Sequence, residues 1–253
     1  MSDATSTLLT PERYFVLIDA DTDRLMAMGE RGLKEPVPAC AGWDVAEVLW
    51  HVSNVYEHKV RVLADHAFPE DWPPEWDYGD GEEPAFLQAA RTHLFEEFSR
   101  HPLDEQTATF GADTTVFFWV RRMACEIAIH RIDAEQAHGD ATPIPDDIAI
   151  DGIDEMLHVM LAGDWWAERV QTDHPIDALV AVEVGGRRWI CDVQQKSVTI
   201  RPGDAAPAAA TISGSPEAVF SWLWGRASDG DVTFVGDEAT VREFRARIVE
   251  CAG

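Results

Sequence analysis

A glutamate and a histidine, whose side chains can bind metal ions and protons, lie at helical spacing in Val116–His138. Glu126 and His130 are four residues apart, so on a helix their side chains lie one turn apart on the same face. The same face carries residues typical of a core, namely Trp119, Met123 and Ala137. A carboxylate that faces a core is costly unless it is paired or binds a metal ion. The spacing therefore predicts that Glu126 and His130 hold a single ion.

A third ligand is available in His51, which lies on another apolar-rich stretch, Val45–Leu63. Two His and one Glu form the ligand set of many catalytic zinc sites, in which one coordination position stays open. Two alternatives remain at this point. Glu126 could form a surface ion pair with Arg122, and His130 could be an ordinary core histidine.

Charged neighbours of the predicted ligands have two readings each. Asp133 could orient His130 through its second ring nitrogen, or it could pair with Arg131 or Arg122. Arg121 and Arg122 could anchor an acidic substrate or a thiol cosubstrate, because guanidinium groups match carboxylates, or they could be solvated or paired. His58 follows His51 by seven residues and could be a fourth ligand or a solvated histidine.

The charge and cysteine content of the chain limit the kinds of partner that we expect it to bind. The chain has 253 residues, and 46 acidic against 20 basic residues give a formal charge of −26, which argues against nucleic acids and anionic membranes. The four cysteines are far apart and predict neither a disulfide framework nor a zinc ribbon. With no signal peptide and no apolar run of 18 residues, we expect a cytoplasmic protein. We also expect it to be a monomer or homodimer.

Four amphipathic helices must position these residues. The patterns predict helices over about residues 11–31, 45–66, 85–100 and 116–138, which together suggest a bundle. The long loop Phe68–Pro84 contains Trp72 and Trp76, which could cover a metal cleft or simply pack. A further helix is predicted over Asp151–Val170. From Ala178 onward, short strand patterns and helices alternate and predict a second, α/β domain.

Two runs make the chain recognisable: Arg121–Glu135 (RRMACEIAIHRIDAE) and Cys40–Val52 (CAGWDVAEVLWHV). They resemble the mycothiol-dependent maleylpyruvate isomerase family, within the DinB-like superfamily of metal-binding bundles. Asp151–Leu157 also resembles this family, and Ser213–Arg226 resembles its small C-terminal domain. The resemblance implies an α + α/β fold: a DinB-like four-helix bundle in residues 1–172, followed by a small sterol-carrier-like α/β domain in residues 173–253.

The resemblance also implies a ligand set. It assigns a divalent metal ion, usually zinc, to His51, Glu126 and His130, the same residues that the helix face selects. It implies mycothiol as the thiol cosubstrate. Cys125 stands where relatives often carry His. We do not expect Cys125 to be a ligand, because neighbouring helix positions diverge by about 100°.

The implied function is that of an isomerase or S-transferase. A divalent ion would activate an external thiol for attack on a small electrophile, such as a maleylpyruvate-like acid. High Ala, Asp, Arg and Trp usage fits an actinobacterial genome and favours mycothiol. Two alternatives stay open: a non-catalytic or regulatory protein of the DinB-like superfamily that binds metal or a thiol conjugate, and a transferase that uses bacillithiol.

Overall fold

The computed structural model describes residues 9–163, 176–195, 197–203 and 207–252. These residues form two compact units. The helical unit comprises Thr10–Thr109 and Asp113–Pro143. The sheet unit comprises the described residues from Ile144 onward, together with Leu9 and Phe110–Ala112. The predicted combination of a helical bundle with a smaller α/β unit is confirmed.

The helical unit contains four long helices: α1 (Pro11–Arg31), α2 (Val45–Asp65), α3 (Glu83–Arg100) and α4 (Val116–Ala137). Local sequence signals explain where they begin. The Thr10 side chain accepts a hydrogen bond from the backbone N–H of Arg13, and Pro11 occupies the first position of α1. Asp44 and Glu47 cap α2 reciprocally, each side chain accepting from the other residue's backbone N–H. Helix α3 begins two residues earlier than predicted, at Glu83.

Helices α2 and α3 run parallel. Near their N-terminal ends the rings of Trp50 and Phe86 are 5.1 Å apart, and at their C-terminal ends the rings of His66 and His101 are 5.4 Å apart. The connection between them must therefore return along the length of both helices. This requirement explains the long loop that the sequence shows between α2 and α3.

Helices α1 and α4 are also parallel. Tyr14 and Phe117 contact each other near the N-terminal ends, and Arg31 pairs with Asp140 just beyond the end of α4. Helix α1 is antiparallel to α3, because Phe15 near the start of α1 packs against Phe98 near the end of α3. The bundle therefore has an up-down-down-up order.

Helix α4 is the most buried element of the helical unit. Of its 22 residues, 18 are buried, and these include every charged side chain of the helix except Arg121. Ala137, which was predicted to point inward at the end of α4, is only half-buried. Gly139 has a positive φ of 68° just beyond α4, which is typical of the glycine that follows a helix.

The sheet unit contains five strands in the order β3-β2-β1-β4-β5. They are β1 (Ala178–Val184), β2 (Arg187–Gln194), β3 (Ser197–Pro202), β4 (Ala210–Ser213) and β5 (Thr233–Gly236). Strands β1 and β4 are parallel, and the other neighbouring pairs are antiparallel. Gly185 and Gly186 form the hairpin turn between β1 and β2, and both have positive φ.

Three helices accompany the sheet: α5 (Asp146–Glu155), α6 (Pro216–Leu223) and α7 (Glu238–Ala252). The prediction of one helix over Asp151–Val170 was wrong in its start and its geometry. Helix α5 begins at Asp146, where two acidic residues favour a helix N-terminus, and it continues as a π-helix over Met156–Leu161. The remainder of that predicted helix, from residue 164, lies outside the described residues.

The predicted domain boundary at residues 172–173 also lies outside the described residues and stays a prediction. Helix α5, which was predicted on the bundle side of that boundary, groups with the sheet unit. Within the described part of the chain, no helix is long and apolar enough to cross a lipid bilayer.

Candidate metal centre

Helices α2 and α4 place the three predicted ligands in one cluster. His51 lies two turns into α2, and Glu126 and His130 lie one turn apart in the middle of α4. The two helices are antiparallel, because Lys59, further along α2, lies over the ring of Trp119 near the start of α4. The inward face predicted for α4 is therefore real, and His51 meets it from the neighbouring helix.

Two histidine nitrogens converge on one carboxylate oxygen. The Nε2 atoms of His51 and His130 each lie 3.2 Å from Oε1 of Glu126. The ligand atoms of the three residues all lie within 4.8 Å of one another. In a tetrahedral zinc site with bonds of about 2.0–2.1 Å, neighbouring ligand atoms are about 3.3–3.4 Å apart. The donor set and its spacing fit a divalent ion, while the assignment of the ligands stays a prediction.

Asp133 fixes the orientation of His130. Its Oδ2 lies 3.0 Å from Nδ1 of His130 and also accepts a hydrogen bond from Sγ of Cys40, at 3.6 Å. A carboxylate only accepts hydrogen bonds, so Nδ1 carries a proton. Nε2 is thereby directed toward Glu126. This contact agrees with the reading of Asp133 as the residue that orients His130.

Arg122 lies one turn before Glu126 and forms an ion pair with its second oxygen, Oε2. The pair that the sequence suggested on the surface is instead buried. Burial alone raises the pKa of Glu126, but the Arg122 guanidinium and hydrogen bonds from His130 and His51 outweigh it and hold the pKa well below its usual range. Glu126 is therefore an ionised acceptor at neutral pH.

His130 lies between two carboxylates. Burial lowers its pKa, but hydrogen bonds to Asp133 and Glu126 outweigh this and raise the pKa to about 9. Without an ion, a proton on Nε2 therefore balances the charge of Glu126. A divalent ion at the same place would replace that proton, because a ligating imidazole nitrogen must be unprotonated.

Aromatic and basic side chains surround the cluster. The ring of Trp43, just before α2, is 5.1 Å from the His51 ring and stacks at 6.3 Å on that of His130. Lys59 is half-buried. Burial lowers its pKa to about 8, although Glu126 acts in the opposite direction.

Comparisons with known proteins agree with this arrangement. Residues 16–135 match the model of the mycothiol maleylpyruvate isomerase N-terminal domain, and residues 147–243 match that of the C-terminal domain of the same family. The chain belongs to the mycothiol-dependent maleylpyruvate isomerase family. No curated protein matches the chain in a sequence comparison.

Among solved structures, a mycothiol-dependent maleylpyruvate isomerase matches with a TM-score of 0.54 and 16% identity, over 89% of this chain and 93% of the other. A mutant of a mycothiol-dependent maleylpyruvate isomerase matches with a TM-score of 0.51 and 15% identity over the same shares of the two chains. At this identity the likeness shows the fold alone. A ubiquinone synthesis protein of the UbiJ-SCP2 type, at 19% identity, covers 40% of this chain and 88% of its own, but its TM-score of 0.30 supports no argument.

The remaining predicted residues of this family member differ in burial and in their contacts. Arg121 is less buried than Arg122, and its anchoring role stays a prediction. His58 is half-buried, and its Nδ1 lies 2.9 Å from Nζ of Lys59, so part of its ring remains exposed to solvent. Trp72 packs against His58, and Trp76 donates a hydrogen bond to Asn54, so both loop tryptophans pack onto α2.

Sequence reasoning missed Lys59, Trp43 and Cys40 as neighbours of the site. The signal for Lys59 was available. It shares an inward stripe of α2 with Val52, Tyr56 and Leu63, at steps of four, three and four residues. Trp43 and Cys40 lie in the connector before α2, where no helical period predicts a direction.

Proposed function

We propose that this protein is an enzyme that binds a divalent ion through His51, Glu126 and His130 and uses mycothiol to act on a small electrophile. The observation that carries the proposal is the convergence of two imidazole nitrogens on one buried carboxylate oxygen, at 3.2 Å each. Membership of a mycothiol-dependent isomerase family supports the choice of thiol. The proposed reaction is isomerisation of a cis enedioic acid such as maleylpyruvate, or S-transfer to a related electrophile.

The bound ion, zinc or a similar metal, would supply the positive charge that stabilises a thiolate at neutral pH, where a free thiol with a pKa of about 8.5 is mostly protonated. Two residues of the chain, Asp133 and Arg122, support this chemistry. Asp133 holds the proton on Nδ1 of His130, which leaves Nε2 as the ligating atom. Arg122 keeps Glu126 ionised, so that the carboxylate can serve as the anionic ligand.

The exposure of the three side chains indicates how a thiol would approach. The side chain of His51 is 37% exposed, against 10% for His130 and 11% for Glu126. Solvent therefore reaches the cluster on the His51 side, next to the Trp43 ring. Three protein ligands leave at least one coordination position for an external group, as is usual in catalytic zinc sites.

The isomerisation itself needs only reversible addition of the thiolate. The sulfur forms a bond to one carbon of the C=C double bond, and the electron pair moves to the conjugated carbonyl oxygen. Rotation about the resulting single bond is followed by return of the electron pair and cleavage of the C–S bond, which releases the trans isomer and the thiolate. We assign Arg121 and Lys59 to the substrate carboxylates, and Lys59 also interacts electrostatically with Glu126.

Properties of the chain's own cysteines support an external thiol. Burial raises the pKa of Cys191, and it raises that of Cys251 to about 11, which makes both poor nucleophiles at neutral pH. Cys125 is fully buried beside Glu126. Cys40 is only partly buried, but its Sγ lies against the Asp133 carboxylate. The two thiols whose pKa is raised by burial are therefore poor candidates for the nucleophile, which favours an external thiol.

The test combines metal analysis with turnover. Protein loaded with zinc and protein stripped by a chelator are assayed with maleylpyruvate and a panel of electrophiles, each with mycothiol, with bacillithiol and without thiol. We expect turnover only when both the ion and mycothiol are present. Turnover without thiol, or unchanged turnover after complete metal removal, would contradict the proposal.

The second candidate is a non-catalytic protein that binds a metal ion or a thiol conjugate. It would bind zinc and mycothiol with the same three residues, yet turn over none of the electrophiles. The engagement of Arg122 by Glu126 favours this candidate, because it leaves fewer cations for a substrate. The predictions of a cytoplasmic location and of a monomer or homodimer stay predictions.

A further inference from the structure

The C-terminal ends of α2 and α3 bring together a second group of two His and one Glu. His66 is the residue that ends α2, His101 is the residue that ends α3, and Glu105 follows in the connection to α4. Nε2 of His66 lies 3.3 Å from Oε1 of Glu105, and Nδ1 of His101 lies 3.1 Å from the same oxygen. The three ligand atoms all lie within 4.8 Å of one another.

This spacing matches the separation of neighbouring ligands around a tetrahedral zinc ion, about 3.3–3.4 Å. The second nitrogen of His101 is also engaged, because its Nε2 lies 3.0 Å from Oε1 of Glu97. Glu97 is buried, and its other oxygen is paired with Arg100. A carboxylate on the far nitrogen of a ligating histidine is a recurrent feature of metal sites, since it fixes the ring and the tautomer.

The position in the bundle favours a cation as well. Helices α2 and α3 are parallel, so their C-terminal ends lie side by side, and the backbone carbonyls there create partial negative charge. The Glu105 carboxylate adds to that charge. Imidazole nitrogens suit zinc and the neighbouring transition metals better than magnesium or calcium, which prefer oxygen ligands.

We propose that His66, His101 and Glu105 bind a second divalent ion of the zinc class, which ties the C-terminal end of α2 to that of α3. The site is separate from the first cluster, because His66 lies 15 residues beyond His51, about 22 Å along the helix. Its role is structural: it joins two helix ends that the chain connects only through the long loop before α3. It does not depend on the proposed thiol chemistry.

The backbone conformation of His66 allows its side chain to be removed without introducing strain. This residue has φ of 51°, in the left-handed region that glycine adopts most readily. His66→Gly therefore removes a ligand while relieving the backbone, and the metal-free variant should fold at least as well as the parent. His101→Ala removes the second ligand. His93→Ala is the matched control, because His93 joins the same two helices through Glu57 without belonging to either cluster.

The experiment measures bound zinc per chain after chelator treatment, incubation in micromolar Zn²⁺ and removal of free ion, with circular dichroism as the check on folding. We expect two ions for the parent and for His93→Ala, and one ion for each of His66→Gly, His101→Ala and His130→Ala. The double variant His130→Ala/His66→Gly should bind none. Zinc should raise the unfolding temperature of His130→Ala but not that of the double variant.

The proposal is overturned if folded His130→Ala binds no zinc. It is also overturned if this variant still binds an ion when His66→Gly and His101→Ala are both added to it. Failure of the first site has a different signature. The parent would then bind one ion that His130→Ala retains and His66→Gly removes, and this result would support the second site.

Discussion

The two ends of helix α2 carry the same three donor groups in different surroundings. Near its start, His51 joins Glu126 and His130, two residues of a helix in the middle of the bundle. At its end, His66 joins His101 and Glu105, which lie where a helix stops and in the connection beyond it. In both clusters, one carboxylate oxygen lies 3.1–3.3 Å from two ring nitrogens.

What differs is the surroundings of the carboxylate. The Glu126 side chain is 11% exposed and paired with a buried arginine, whereas the Glu105 side chain is 33% exposed. Electrostatic interactions are stronger where water is excluded, so the first cluster acts more strongly on a bound group. Donor type and spacing suggest an ion at both places, and the two carboxylates differ in burial and in the arginine that pairs with Glu126.

The largest expected effect is at His130. Replacing His130 with Ala should remove the ion from the first cluster and lower thiol-dependent turnover at least about a hundredfold, since loss of an outer contact alone costs 10–100-fold. The helix should persist, because Ala is the better helix former. Metal analysis and turnover of the folded variant check this. Full retention of zinc and activity would show that the first cluster is not the catalytic one.

The next prediction concerns Asp133 and Glu97, the carboxylates that contact the ring nitrogens of His130 and His101. Asp133→Asn should weaken zinc binding at the first cluster about 10–100-fold, with turnover falling at limiting zinc, because an amide no longer enforces the His130 tautomer. Glu97→Gln should weaken zinc binding only at the second cluster. Competitive titration with a zinc indicator measures both. Equal loss of turnover in the two variants would contradict the division of roles.

A smaller effect is expected from the cysteines. Replacing Cys40, Cys125, Cys191 and Cys251 with Ser or Ala should leave turnover within about tenfold, or about 1.4 kcal/mol of barrier, if the nucleophile is external. Metal-stripped protein is the reference, since removal of the metal should lower turnover far more than the cysteine substitutions do. A folded, metal-loaded Cys125 variant without activity would indicate covalent catalysis by the chain itself.

The smallest effect concerns His58, which lies on α2 between the two clusters and has Lys59 as its partner instead of a carboxylate. Burial, with a further contribution from Lys59, lowers its pKa to about 4. The folded state therefore binds its proton less readily than the unfolded state does. Stability should be lost as pH falls from about 6.5 toward 4, and His58→Phe should reduce that loss. Unfolding temperatures at pH 7 and pH 5 measure the difference, and an unchanged pH dependence in the variant would exclude His58 as its source.

The first cluster was predictable because its signal is local. Glu126 and His130 share a helix face, and the apolar residues of that face show that it points inward. The second cluster was not predictable in this way. His66 and His101 meet only because α2 and α3 are parallel, and no local period in the sequence specifies the relative direction of two helices. The change from α5 to a π-helix was likewise missed, since tertiary packing decides it and propensity does not.

The parallel arrangement of α2 and α3 also has a consequence for the order in which the bundle forms. Three contacts along this interface, Trp50 with Phe86, Glu57 with His93 and His66 with His101, join residues separated by 35 or 36 positions in the chain. The first of them to form closes one large loop and meets nearly the whole entropic cost of bringing the helices together. The others then add within a loop that is already closed. The interface should therefore assemble like a zipper, at a rate set by a single loop closure and largely insensitive to which of the three contacts forms first.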